Sequence, residues 1–83
     1  MGLVIDLGMH VGDDTAYYLA RGYRVIAVEA NPALVRQAQQ RFVREIADGA
    51  LTILNVALSD QVGTAKVLIS QVNAEWSRRE RWR

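Results

Sequence analysis

The chain has 83 residues, no cysteine and a net charge of +1. This length allows one small domain with a limited core, and the absence of cysteine excludes disulfides and thiolate metal sites. No apolar run approaches the roughly 20 residues of a membrane span, and no basic region precedes the first apolar run. We therefore expect a cytoplasmic protein without a signal peptide, for which overall charge favours neither a nucleic-acid nor a membrane partner.

The first predicted element is a strand over Leu3 to Leu7, an apolar run interrupted only by Asp6 and typical of a strand buried on both faces. Gly8 and Gly12 bracket the turn that follows, which suits a backbone that must turn tightly.

A short helix is predicted next, from about Thr15 to Arg21, with Asp13 or Asp14 as its cap and Gly22 ending it. A second strand follows over Tyr23 to Val28 and ends at Glu29.

Asn31-Pro32 then predicts a strong helix start, because asparagine caps a helix and proline suits its first turn. One continuous helix up to Gly49 is expected from an apolar stripe with spacings of mostly four. Its members are Leu34, Val35, Ala38, Phe42 and Ile46.

The remaining elements are predicted as a third strand over Leu51 to Leu58, a turn centred on Gly63, and a fourth strand over Ala65 to Ser70. Residues 71–83 form a polar tail that ends in SRRERWR. This end could contact phosphates, but a solvated, frayed terminus is the favoured interpretation. The order strand, helix, strand, helix, strand, strand predicts an α/β fold with a parallel sheet, the first half of a Rossmann-like domain.

The turn after the first strand marks the expected ligand position, since ligands of such sheets bind beyond the carboxyl ends of the strands. The sequence there is DLGMHVGDD, without the G-x-G-x-x-G spacing of dinucleotide sites. Asp13 and Asp14 would repel a pyrophosphate at this position. A nucleoside ligand with a cationic group, such as S-adenosylmethionine, fits better, and Asp6 could face its amino-acid portion or merely cap the turn.

Glu29 supports a nucleoside site, because it ends the second strand 21 residues after Gly8, near the position where a ribose-binding acid is expected. Its carboxylate could accept hydrogen bonds from both ribose hydroxyls. The alternative is a solvated glutamate at the end of a strand.

The three segments VIDLGMHVGDDT, VEANP and LNVALSD, in this order and spacing, resemble the FkbM-type S-adenosylmethionine-dependent methyltransferases. The resemblance implies a class I, three-layer methyltransferase fold and O-methyl transfer to a small-molecule hydroxyl, such as a sugar or a natural product, with no nucleic-acid or membrane partner. It also implies a larger domain, of which residues 1–70 would be the cofactor-binding half.

The resemblance also assigns residues to the cofactor site by their position. Asp6, Gly8 and Gly12 would line the methionine end, Glu29 would hold the ribose, and Ala30 and Asn31 would border the adenosine. Ala57 and Leu58 would flank the adenine, with Ser59 or Asp60 near its amine, although Asp60 fits an ordinary acidic turn equally well.

His10 stands where asparagine or glycine is commoner, and it could contact the cofactor carboxylate. We favour a hydrogen-bonding loop residue over a general base at this position. A competing hypothesis for the whole chain is a non-catalytic module that forms homo-oligomers through an unpaired apolar sheet edge.

Overall fold

The computed structural model describes the backbone of residues 2–81 and the side chains of residues 2–71. Its elements are β1 (Leu3–Leu7), α1 (Asp13–Ala20), β2 (Arg24–Glu29), α2 (Pro32–Arg41), α3 (Val43–Ala47), β3 (Leu51–Asn55) and α4 (Gln61–Arg81), with a 3-10 turn at Leu58–Asp60. The strands form one parallel sheet in the order β1-β2-β3. This confirms the predicted α/β class and is consistent with a partial Rossmann-like methyltransferase fold.

The core lies where β2 packs against helices α1 and α2. Val25 and Ala27 alternate along β2 and point to the same face, because successive strand residues face opposite sides. Around them is a cluster of buried residues completed by Met9, Ala38, Phe42 and Leu51. The glycine turn thus contributes Met9 to the core, which ties the turn to the centre of the fold.

Helix α1 begins differently from the sequence prediction. Gly12, not Asp13 or Asp14, is the N-cap, and no side chain caps the helix. Gly12 has a φ of 93°, a left-handed conformation in which an aspartate would be strained, so the two acids fall in the first turn instead. There they still face the positive end of the helix dipole. Gly22, with a φ of 87°, follows the helix end as predicted.

The single helix predicted between Asn31 and Gly49 is interrupted. Asn31 caps α2 by accepting a hydrogen bond from the Ala33 N–H, as expected, and Pro32 begins the helix. At Phe42 the backbone leaves helical geometry, with φ −112° and ψ 35°, and α3 starts at the next residue. The break lies where the Phe42 ring enters the core beside the glycine turn, a tertiary contact that sequence periodicity does not report.

The prediction of a fourth strand over Ala65 to Ser70 is wrong, because this segment lies within α4. Its β-branched residues suggested a strand, but burial follows a helical period. The least exposed positions are i, i+3, i+4 and i+7, whereas Val67 and Ile69 are about half exposed. Those four positions are Gln61, Thr64, Ala65 and Leu68.

The third strand is shorter than predicted and ends at Asn55, beyond which the chain forms the 3-10 turn. In the sheet of the described residues β1 is an edge strand, as the sequence hypothesis of an open edge requires. None of the helices in the part of the chain that the structure describes is long and apolar enough to cross a membrane. The side chains of the arginine-rich end, and residues 82–83 altogether, lie outside the described residues, so the predictions made for that end stay untested.

Candidate functional site

The turn between β1 and α1 is built from left-handed residues. Gly8, His10 and Gly12 have φ values of 72°, 56° and 93°. The N–H groups of Gly8 and Met9 both donate to the Val28 carbonyl at 2.8 and 3.2 Å, which fixes the turn to the end of β2. His10 is the only non-glycine residue with positive φ in the described region, a backbone conformation that glycine and asparagine adopt more readily than histidine does.

Glu29, at the carboxyl end of β2, joins the glycine turn to the start of α2. One carboxylate oxygen accepts from the His10 N–H at 2.7 Å and the other from the Asn31 N–H at 2.9 Å. The side chain is only 6% exposed. Each oxygen can still accept a further hydrogen bond, because a carboxylate has about four acceptor positions.

The pKa of Glu29 lies below its ordinary value despite this burial. Burial alone raises the pKa, but the hydrogen bonds from Asn31 and His10, the nearby His10 imidazole and the Ala30 N–H outweigh it. Glu29 is therefore an ionised acceptor at neutral pH. Such an acceptor suits hydroxyl donors, and the role of Glu29 as a ribose-binding acid stays a prediction.

Asp6 is turned toward helix α1. Its carboxylate accepts a 2.7 Å hydrogen bond from the hydroxyl of Thr15, which is fully buried. This bond links the last part of β1 to the first turn of α1 across the glycine turn. The sequence suggested either a cofactor contact or a structural role for Asp6. The bond from Thr15 is structural, and it occupies one of the two carboxylate oxygens of Asp6.

Glu29 and Ala30 are held at the same edge by Asn55 at the end of β3. The Asn55 amide donates to the carbonyls of Glu29 and Ala30 at 2.9 and 3.0 Å. The ends of all three strands therefore meet in one hydrogen-bonded network, with Glu29 at its centre.

The predicted adenine-side residues are less closely joined to this network. The Val56 N–H donates to the Glu29 carbonyl, and the nearly buried Gln61 amide donates to the Val56 carbonyl. Ala57, Leu58 and Asp60 themselves are exposed, Leu58 by 76%. Ser59 and Asp60 line an open groove against α4, together with Gly63, Thr64, Val67, Leu68 and Gln71. Seven of the predicted site residues therefore lie around the glycine turn: Asp6, Gly8, His10, Gly12, Glu29, Ala30 and Asn31. Residues 57–60 are connected to them only by the segment of chain that follows Asn55.

Four residues of this arrangement were missed from the sequence. Thr15 and Asn55 could have been noticed as polar residues next to predicted strand ends. Phe42 belongs to the apolar stripe predicted for its helix and Arg41 lies outside that stripe, and no local signal shows that both contact the glycine turn. No group of three histidine, cysteine or acidic side chains that could hold a metal occurs among the side chains described.

Comparison with known proteins identifies one informative relative. The chain is 44% identical over 52 residues, or 63% of its length, to the probable ribosomal RNA small subunit methyltransferase A of Methanospirillum hungatei JF-1. The match covers 20% of that protein, so the chain spans about a fifth of the length of this relative. No protein-family model matches the sequence, and no solved structure matches it significantly.

This similarity bears out S-adenosylmethionine as the cofactor predicted from the sequence, and it supports a methyltransferase at a coarse level. It does not support the FkbM type in particular. The prediction of a small-molecule hydroxyl acceptor and no nucleic acid is wrong by this comparison, because the relative is named for ribosomal RNA. The low net charge had contributed to this prediction, but a net charge near zero does not by itself exclude a nucleic-acid partner.

Proposed function

We propose that this chain forms the S-adenosylmethionine-binding half of a Rossmann-like methyltransferase. The observation that carries the proposal is the bond between the Glu29 carboxylate and the His10 N–H, which places an ionised acceptor beside the glycine turn. An acid at the end of β2 next to a tight turn after β1 is the arrangement that a nucleoside requires. The methyltransferase similarity supports the same cofactor.

The residues present fit this cofactor. The remaining acceptor positions of Glu29 would take the ribose hydroxyls, and the turn at Gly8, His10 and Gly12 would border the methionine end. S-adenosylmethionine supplies an electrophilic methyl group. The contribution of this chain is to bind and orient the nucleoside so that the methyl group faces the acceptor, which is catalysis by positioning. The backbone N–H of His10, rather than its ring, makes the bond to Glu29, so this contact assigns no proton transfer to the imidazole.

We propose RNA as the methyl acceptor of the complete enzyme, because the similar protein is named for ribosomal RNA. This assignment rests on the name of that protein. The finer assignment to FkbM-type O-methyl transfer rests on the three sequence segments alone, so the proposed cofactor site does not depend on it. We also propose a cytoplasmic location, because the sequence has no apolar run of membrane-spanning length and no basic region before its first apolar run.

Calorimetric titration with S-adenosylhomocysteine tests the cofactor proposal. Because Glu29 also holds the backbone together, the sharper comparison changes the ligand and leaves the protein intact. We expect the 2′-deoxy form of S-adenosylhomocysteine to bind about 10- to 150-fold more weakly, since a hydrogen bond to a charged group is worth about 1.5–3 kcal/mol. NAD serves as the control and should give no heat.

Amide NMR spectra locate the site in the same titration. The His10 and Asn31 signals should shift on adding S-adenosylhomocysteine, because both N–H groups bond to Glu29. Equal affinity for the two nucleosides would show that the ribose assignment is wrong. Absence of binding to a folded chain would refute the cofactor proposal itself.

A further inference from the structure

The glycine turn has one hydrogen bond of its own, from the Gly12 N–H to the Met9 carbonyl at 3.1 Å, and its other contacts come from outside the turn. Glycine has wide backbone freedom, and the turn has glycines at both ends, Gly8 and Gly12. Between them, each residue is held by a different group. Met9 is buried in the core, and the His10 N–H donates to Glu29. The third residue, Val11, is 57% exposed, so its own side chain does little to hold it.

Val11 is instead held by an arginine from helix α2. Nη1 of Arg41 donates to the Val11 carbonyl at 3.0 Å and lies 3.1 Å from a carboxylate oxygen of Asp13, the first residue of α1. A single guanidinium nitrogen therefore joins the end of the turn to the start of the helix. The guanidinium also lies over the Phe42 ring, with its carbon 5.0 Å from the ring centre.

The ring of Phe42 packs against the backbone of the same turn at Gly12. A methyl group added to the Cα of Gly12 would come within 2.9 Å of the Phe42 ring, so the ring lies directly against the turn backbone. Phe42 is 5% exposed and belongs to the core. Two consecutive residues at the α2–α3 junction thus contact the turn: the Phe42 ring packs against Gly12, and the Arg41 guanidinium donates to the Val11 carbonyl.

We infer that Arg41 is a positioning residue, which sets the shape of the cofactor turn from outside the site by fixing the Val11 carbonyl and the Asp13 carboxylate. This inference rests on the proposed function where it concerns cofactor affinity. It also gives Asp13 a structural role, because one oxygen of its carboxylate is paired with the Arg41 guanidinium.

The test compares Arg41→Met with Arg36→Met. Methionine keeps an unbranched apolar side chain but removes the donors. Arg36 is the matched control, because it lies in the same helix and is exposed. It makes no hydrogen bond or ion pair with any side chain in residues 2–71. Asp13→Asn is the second variant, which removes only the carboxylate partner.

Three measurements are made on each variant: affinity for S-adenosylhomocysteine, hydrogen exchange of the hydrogen-bonded His10 and Gly12 amides, and the urea midpoint of unfolding. We expect Arg41→Met to bind about two- to fivefold more weakly, the size typical of one exposed ion pair. The two amides should exchange faster, while the urea midpoint stays close to that of Arg36→Met. Asp13→Asn should change affinity and exchange in the same direction by a smaller factor.

The inference is overturned if Arg41→Met matches Arg36→Met in both affinity and exchange. If the wild-type chain binds no S-adenosylhomocysteine, the proposed function is wrong, and amide exchange alone then decides whether Arg41 sets the turn. If Arg41→Met fails to fold, Asp13→Asn gives the decision by the same two readouts.

Discussion

Replacement of Gly12 by alanine should be among the most damaging single changes in this chain, for two separable reasons. The residue has a φ of 93°, and an L-residue with left-handed backbone costs roughly 1–2 kcal/mol. The new methyl group would also lie 2.9 Å from the Phe42 ring, and overpacking of a core typically costs about 1–3 kcal/mol. The lower freedom of alanine in the unfolded chain returns about 0.4–1 kcal/mol.

These values give a net loss of about 1–5 kcal/mol in the free energy of unfolding, a large share of the stability of a small domain. Two other glycines serve as internal controls. Gly49 has a similar φ of 79° with no atom within 4 Å of the added methyl group, so Gly49→Ala should show the backbone cost alone. Gly63 lies in α4 with open space around it, and Gly63→Ala should stabilise by about 0.5–1 kcal/mol.

Urea unfolding followed by far-ultraviolet circular dichroism measures the three variants. Phe42→Leu is then added to Gly12→Ala, because a smaller side chain should remove the crowding and leave the backbone cost. The coupling between the two changes reports the crowding directly. Equal losses for Gly12→Ala and Gly49→Ala, with no coupling to Phe42→Leu, would refute the argument that the ring lies against the turn.

Two further predictions concern the acids of the site. The pKa of Glu29 is lower in the folded chain, so its stabilisation is present above the unfolded pKa and is lost as the pH falls through the folded pKa. Urea midpoints of the wild type should therefore fall in the acid range more steeply than those of Glu29→Gln, and parallel curves for the two proteins would contradict this. Thr15→Val, which is nearly isosteric, should lower the free energy of unfolding by about 1–3 kcal/mol because Asp6 loses its hydroxyl donor. Thr15→Ser keeps the donor and should lose less, and the prediction is wrong if the serine variant is the less stable of the two.

Much of the fold could be predicted because its signals are local. The Asn31-Pro32 helix start, the strand of β2 and the glycines of the first turn each depend on a few neighbouring residues, and all three appear in the structure. The fourth strand was mispredicted for the same reason. β-Branched residues in Ala65 to Ser70 favour a strand locally, but packing against the rest of the domain decides between strand and helix.

The sequence by itself determined that an acid would stand at the end of β2 near a tight turn, because parallel strands present their carboxyl ends at one edge. Only the tertiary structure decided what that acid bonds to. The His10 N–H is 19 residues from Glu29 along the chain, and Arg41 is 30 residues from Val11. Such contacts depend on how the helices pack on the sheet, and no residue pattern within either segment encodes them. The shape of the turn is therefore a property of the packed domain, whereas its glycines are a property of the sequence.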